Sequence, residues 1–389
     1  MKNTKNFIDT KPHYELLDGL RGLAALIVVC YHIFEGFSFA EITNRAGDGV
    51  IRNLNHGYLS VDFFFLLSGF VLSYAYDDRW KQMSMKTFFK RRLVRLHPML
   101  IMGALVGLIC FLIGGAKQWD GSQVPFYLSL ICFLLSIFMI PAYPSASYEV
   151  RGNGEMFPLN GPTWSLFFEY IGNILYAIFI RRLSNKALTL FVILVGGLHT
   201  FYSLANLSDY GSFGVGWTLD AVNLCGGMLR MLFPFSVGML IARNFRPLKI
   251  KYSFLICSII LIAALFLPYI EGLEPISFNG LYESFCIVVL FPLILLIGAS
   301  DRGENKLVNK TSNLLGELSY PLYIVHYPIM YLFYQWLIKN ELYSLKATLP
   351  YAVSVVALSI FLAYLLLRFY DKPLRKRLAK KMQKTITSR

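Results

Sequence analysis

Charge is scarce in this chain. Only 15% of its 389 residues are Asp, Glu, Lys or Arg, 56% are hydrophobic, and the mean hydropathy is +0.52. A soluble domain carries nearer a quarter charged residues, so the composition excludes one and indicates an integral membrane protein. Acidic residues are the scarcer sign, 23 against 37 Lys and Arg, for a formal net charge of +14. That excess does not point to nucleic acid, because the bases cluster at the ends of apolar runs. The six cysteines (Cys30, Cys110, Cys132, Cys225, Cys257 and Cys286) all fall in apolar stretches without metal or redox spacing. They read as packing residues, and no metal site is expected. There is no GxSxG, Walker loop, HExxH or GxGxxG, which leaves a serine hydrolase or an ATP-driven pump without its motif. The polar first fifteen residues, followed by a long, charged apolar run, do not fit a cleavable signal peptide.

What is present is a series of membrane-length apolar runs, near 16–37, 58–76, 98–115, 163–180, 187–205, 222–242, 253–270, 281–299, 318–337 and 350–369. The expected fold is therefore all-α, with about ten spans and both termini cytoplasmic. A further apolar run, 124–141, is read as a re-entrant or interfacial element on the outer side. If it crossed, every later loop would change sides, and RRLSNK, RNFRPLKIK and DKPLRKRLAKKMQK would face outward against the positive-inside rule. Residues 1–375 are expected to form the membrane domain and 376–389 a basic cytoplasmic tail.

The first run, LLDGLRGLAALIVVCYHIFEGF, carries Asp18, Arg21 and His32. Ionisable groups in a span cost a few kcal/mol each and commonly mark a working site. Eleven helical residues turn about 20° past three full turns, so Arg21 and His32 share a face, about 16 Å apart along the axis. Arg21 is expected near the cytoplasmic face and His32 in the outer half. Three other runs bring ionisable groups toward the depth of His32: Asp62 in GYLSVDFFFLLSGF, Glu169 after Trp164 in GPTWSLFFEY, and His326 in LSYPLYIVHYPIM. A buried carboxylate beside an imidazole makes a competent general base near neutral pH. Each group also has a plainer reading. His32 and His326 could be satisfied core histidines, Asp62 a helix cap or partner of a base, and Glu169 an orienting group. His13, His56, His97 and His199 lie at or near loop edges and are weaker candidates.

Before the third span, MKTFFKRRLVRLHP packs Lys86, Lys90, Arg91, Arg92 and Arg95. One reading is an anchor on anionic lipid. The other is a phosphate grip, with Arg92 and Arg95 one helical turn apart offering guanidinium forks to a nucleotide-bearing donor.

In this order, LDGLRGLAALIVVCYHI, VDFFFLLSGFVLSY, FFKRRLVRLHP, WSLFFEY and LSYPLYIVHYPI resemble the acyltransferase-3 family of membrane acyltransferases, over nearly the whole chain. The family's Arg-x10-His falls on Arg21 and His32, and its Arg-x-x-Arg on Arg92 and Arg95. Its Ser-Gly-Phe falls on Ser68, Gly69 and Phe70, and its Trp-Ser-Leu-x-x-Glu on Trp164 to Glu169. One departure is His97, where the family commonly has Tyr before the proline. The resemblance implies transfer of an acyl group, usually acetyl, from cytoplasmic acyl-CoA to a hydroxyl of an extracytoplasmic glycan such as O-antigen or exopolysaccharide. It implies a place in the bacterial cytoplasmic membrane, with acetyl-CoA or another acyl-CoA as donor. Arg21, Arg92, Arg95 and Ser68 would bind that donor. His32, supported by Glu169, Asp62 and His326, would deprotonate the acceptor or carry the acyl group. The competing class is a transporter or flippase, which also buries ionisable groups; no inverted repeat or pair of broken helices is visible to support it.

Overall fold

The computed structural model describes residues 14–44, 55–142, 150–248, 250–270, 277–300 and 306–387. His13 lies outside them. Among the described residues the chain is all-α, with only isolated bridges such as Lys117 with Gln123 between extended residues. Eight helical segments are long and apolar enough to cross a membrane. The helices are α1 (Glu15–Asn44), α2 (Ser60–Tyr76), α3 (Met85–Ile113), α4 (Phe126–Ile137), α5 (Thr163–Ile178), α6 (Asn185–Leu204) and α7 (Ala221–Asn244). They continue with α8 (Ser253–Phe266), α9 (Phe278–Phe285), α10 (Phe291–Ala299), α11 (Lys306–Asn340), α12 (Leu345–Leu366) and α13 (Lys372–Thr387). A π-helical turn, Cys286–Leu290, joins α9 to α10, and another, Leu367–Asp371, joins α12 to α13. The expected boundary at 375/376 thus falls inside α13.

Two parallel helix pairs form the frame. Along α1 and α11 the contacts advance together, from Gly22 on Leu315 through His32 on His326 to Asn44 on Ile338. Gly22 is required there, because a Cβ would strike the backbone carbonyl of Leu315. Small residues at such contacts let helices approach where lipid supplies no hydrophobic drive. The second pair, α2 and α7, is held at both ends by ion pairs. Asp62 takes a two-pronged bond from Arg230, at 3.1 and 2.6 Å, and Asp77 accepts from Arg243 at 2.8 Å. Between them Gly69 lies so close to the Phe235 carbonyl that no side chain fits. Elsewhere apolar side chains face outward, as on α6, where Leu190, Ile193, Leu194, Leu198 and Phe201 are exposed at helical spacing for lipid.

Starts of α1, α3 and α11 gather at one end with the ends of α2, α5, α7 and α12, where Arg21, Arg92, Lys372 and Arg243 lie. We refer to this as the basic face. Helix α4 does not run to it. It has 12 residues, about 18 Å at 1.5 Å each, too short for a hydrocarbon core of about 30 Å. Both of its flanks also meet one loop: Trp119 N bonds the Arg151 carbonyl at 3.0 Å, and Ala142 N bonds Met156 O at 2.7 Å. The re-entrant or interfacial reading of 124–141 agrees with this geometry.

Three expectations are corrected. The basic cluster does not precede the third helix but lies on it, because Ser84 caps α3 by accepting from Thr87 N at 3.2 Å, fourteen residues before the apolar run begins. His97 is consequently well inside α3, bonded to Tyr170 at 3.1 Å. His199 is not at a loop edge but fully buried within α6, between Phe213 and Phe233. The run expected over 253–270 is helical only to Phe266.

Two expected outcomes follow from this frame. In a cysteine-free background, Lys117→Cys and Ile140→Cys, both exposed residues flanking α4, should react with an impermeant maleimide from the same side of the membrane. Labelling from opposite sides would mean that α4 crosses. Asp62→Asn should cost about 3–5 kcal/mol, because it leaves Arg230 charged in a buried site. The loss should appear as a lower melting temperature in detergent, and an unchanged one would show that the pair is not a structural lock.

Candidate active site

Two cavities lie end to end between the helix pairs. The larger, about 680 Å³, is at the basic face. Six cations, Arg21, Arg92, Arg95, Lys310, Lys372 and Arg375, line it against four carboxylates, Asp18, Glu169, Glu317 and Asp371, an excess of two positive charges, and its inner wall is apolar, with Val61, Phe64, Phe65 and Leu166. The cations are not equivalent. Arg21 is held by Asp18 at 2.9 Å, donates Nε to Ser319 Oγ at 2.9 Å and reaches the Gly316 carbonyl at 3.0 Å. Arg92 is buried and bonds Glu169 at 2.8 Å, and Glu169 also accepts from Ser68 Oγ at 2.6 Å. Arg95 lines the same space one turn from Arg92. Such a cavity, wide and cationic at the mouth and apolar further in, suits a phosphorylated molecule with a less polar arm.

The smaller cavity, about 320 Å³, lies on the far side and is lined mainly by aromatic rings. His32 stands in its wall with a nearly buried side chain. Its Nδ1 donates to Glu35 Oε2 at 2.6 Å. Glu35 accepts further bonds from Tyr334 at 2.9 Å, Tyr327 at 3.3 Å and Tyr31 at 3.3 Å. With His32, Tyr31 and Tyr327 as donors, and the single Tyr334 hydrogen shared between Glu35 and the His32 carbonyl, Glu35 is the acceptor of the pair; in that arrangement Nδ1 carries the proton and Nε2 is the nitrogen left for chemistry. The Tyr334 hydroxyl also bonds the His32 carbonyl at 2.6 Å, pinning both residues of the pair to α11. His326 stacks on His32 with ring centroids 5.3 Å apart. Its Nδ1 donates to the Leu322 carbonyl at 3.1 Å, and its buried Nε2 has no partner.

The four groups expected at one depth therefore divide. His32 and His326 are together. Asp62 is buried with Arg230 behind the cavity wall. Glu169 is not with His32; it belongs to the large cavity with Arg92 and Ser68. The reason is that α5 starts deep. The loop before it folds inward, so that Asn160 bonds the Ile324 carbonyl, midway along α11, at 2.8 Å. Six residues beyond Thr163, where α5 begins, or about 9 Å, Glu169 is carried toward the basic face. Trp164, the second residue of α5, remains in the small cavity, its ring 5.0 Å from the Arg230 guanidinium.

Sequence reading missed Glu35, Arg230 and Glu155. Glu35 was detectable, since a residue three along from His32 shares its face. Arg230 is a lone cation in an apolar run, the same signal that singled out Arg21. Glu155 sits in the loop before α5 and lines the small cavity, bonded by Tyr331 and, at 2.8 Å, by Asn153. Burial pushes its carboxyl up to about 7. Nothing in the sequence marks that loop as buried.

The cavities meet. Val61 and Tyr323 line both, and only these two side chains are shared between them.

Comparison with known proteins fits this geometry. A family profile described as "Acyltransferase domain" matches residues 14–368. The chain is 32% identical over 184 residues to "Protein 2 in picA locus" of Rhizobium radiobacter, covering 44% of this chain and 84% of that protein. It is 24% identical to the peptidoglycan O-acetyltransferase OatA of Listeria monocytogenes, over 97% of this chain and 58% of the relative. Identity to the O-acetyltransferase OatA of Staphylococcus aureus is 25%, over 93% of this chain and 57% of that protein. The chain thus spans well under two thirds of either OatA protein's length. No solved structure matches. The motifs expected of the acyltransferase-3 family and the extent of the profile match agree, and the chain belongs to that family of integral membrane acyltransferases.

Proposed function

We propose that this protein is a membrane O-acyltransferase of a bacterial cytoplasmic membrane, moving an acyl group, acetyl in the first instance, from cytoplasmic acyl-CoA to a hydroxyl of an extracytoplasmic glycan. The observation that supports this most is the pair of cavities meeting at Val61 and Tyr323, one cationic and one holding the His32–Glu35 pair. In this reading the basic face is cytoplasmic, as the positive-inside rule requires. Arg92, Arg95 and Lys372 take the CoA phosphates, and Arg21 closes the rim. The pantetheine arm lies along Phe64, Phe65 and Leu166 and brings the thioester between Val61 and Tyr323. The acceptor sugar enters the small cavity from the other side.

The chemistry then needs one proton moved. His32 Nε2 takes it from the acceptor hydroxyl as the oxygen attacks the thioester carbon. The C–S bond breaks, CoA leaves as thiolate, and the imidazolium returns the proton to sulfur. Glu35 stabilises the imidazolium and holds its tautomer, as an orienting carboxylate does in other His-based sites. Glu169 holds Arg92 in position for the donor, and Ser68 holds Glu169. His326 supports the His32 ring by stacking.

Acyl-CoA-dependent labelling of glycan by membranes containing the protein tests the reading. His32→Asn should fold, bind acyl-CoA and lose transfer by at least about 10²–10⁴-fold, the value of a general base. Glu35→Gln should lower the rate while leaving the donor KM unchanged. Near-normal transfer by His32→Asn would move the chemistry to Glu169 or His326.

Donor binding is tested separately. Arg95→Ala should weaken acyl-CoA binding by about tenfold to a hundredfold, since a charge-assisted contact contributes about 1.5–3 kcal/mol, with protein yield unchanged. Arg92→Ala should do the same but also lower stability, because Glu169 loses its partner. Unchanged CoA affinity in both variants would leave the cluster as a lipid anchor.

A further inference from the structure

The small cavity differs from the large one in sign. Two carboxyl groups, Glu35 and Glu155, line it on elements that face one another across Tyr327, Tyr331 and Tyr334. Its one guanidinium, Arg230, is already committed. It gives two bonds to Asp62 and one each to the Val215 and Tyr58 carbonyls, at 2.9 and 3.1 Å. Its charge is cancelled within the wall, and among the described residues that line the cavity no other cation stands ready for an anionic group beyond His32, itself paired to Glu35. Arg151, the other buried cation nearby, lies behind Tyr331 with its guanidinium 3.9 Å from that ring's centroid. It does not line the cavity.

The remaining lining is aromatic. Trp119, Trp164 and Trp217 stand around the space with Tyr58, Tyr210 and Tyr269. Flat rings with polar edges match the C–H faces of a pyranose, and the tyrosine hydroxyls and carboxyl oxygens match its hydroxyls. At about 320 Å³ the space is at the small end of ligand pockets, which run from about 300 to 1,000 Å³. It has room for a sugar ring and its substituents rather than a length of oligosaccharide.

Building on the acyl-transfer reading, we infer that the acceptor is an uncharged or amino-bearing sugar ring presented singly, and that Glu155 sets this preference by accepting a sugar hydroxyl and repelling uronates, sialic acids and sugar phosphates. A carboxylate on the substrate would have to be desolvated beside Glu35 and Glu155 without a free cation to pair with it, and an unpaired buried charge is among the most costly arrangements in a protein. Burial raises the Glu155 carboxyl to about 7, so its charge, and with it the repulsion of anionic sugars, is fully present only above that pH and fades below it.

The test uses the full-length protein in detergent or vesicles with three probes: methyl glucoside, glucosamine and glucuronic acid. Binding is read by tryptophan fluorescence, since three indoles line the cavity, and transfer is read separately with labelled acetyl-CoA. Methyl glucoside and glucosamine should bind and be acylated, with glucuronic acid at least about tenfold weaker in both readouts, the scale of one like-charge contact in a partly screened site. Glu155→Gln, which keeps the hydrogen-bonding shape, should narrow that gap by raising glucuronic acid. If glucuronic acid binds as well as methyl glucoside, or if Glu155→Gln leaves the gap unchanged, the inference is overturned while acyl transfer stands. Selective binding of the uncharged sugars without any transfer would instead overturn the acyl-transfer reading and leave the pocket's preference in place.

Discussion

Two helices that touch along most of their length inside a bilayer have no hydrophobic effect to hold them together, because lipid is as apolar as the side chains they would bury. What holds α1 to α11 is close backbone approach at Gly22 and a ladder of polar contacts: Arg21 to Gly316 and Ser319, Glu35 to Tyr327 and Tyr334, and Tyr334 to the His32 carbonyl. The same contacts build both cavities. Arg21 is fixed at the rim of one and His32 in the wall of the other by bonds to one partner helix. Their separation is therefore set by the rise of α1, and neither can shift without loosening the seam.

The second helix pair obeys the same rule through ion pairs rather than small residues alone. Arg230 and Asp62 satisfy each other in a buried site, and Arg243 and Asp77 do so at the basic face. Pairing is what lets charges persist in such surroundings. It also sets Asp62 apart from His32. Asp62 has spent its bonding capacity on Arg230, whereas the His32–Glu35 pair leaves one ring nitrogen free beside a cavity.

Periodicity made α1 legible: the eleven-residue spacing of Arg21 and His32 placed both on the face that meets α11, and the membrane-length runs gave the all-α architecture. The short run at 124–141 was legible from charge bias. Depth was harder. Glu169 was expected beside His32 because helix position was measured from the assumed membrane edge, yet the loop before α5 descends until Asn160 meets Ile324. A hydropathy profile cannot register a polar loop that is buried in protein rather than in water. Glu35 and Arg230 were present in plain view; their meaning depends on Tyr334 and Asp62, 299 and 168 residues away.

Cavities that approach from opposite ends and meet at Val61 and Tyr323 raise a problem of insulation. A membrane potential of 100 mV does work of about 2.3 kcal/mol on each elementary charge that crosses, and protons will follow any continuous file of water. Here Val61 and Tyr323 are the side chains that line both spaces, so what divides one from the other rests on them. In the proposed reaction a donor arm passing between them would take the place of the barrier as it enters, so the partition would never be simply open. The dimensions of that arm are then a condition of energy coupling in the host membrane, and this enzyme has to be as good a stopper as it is a catalyst.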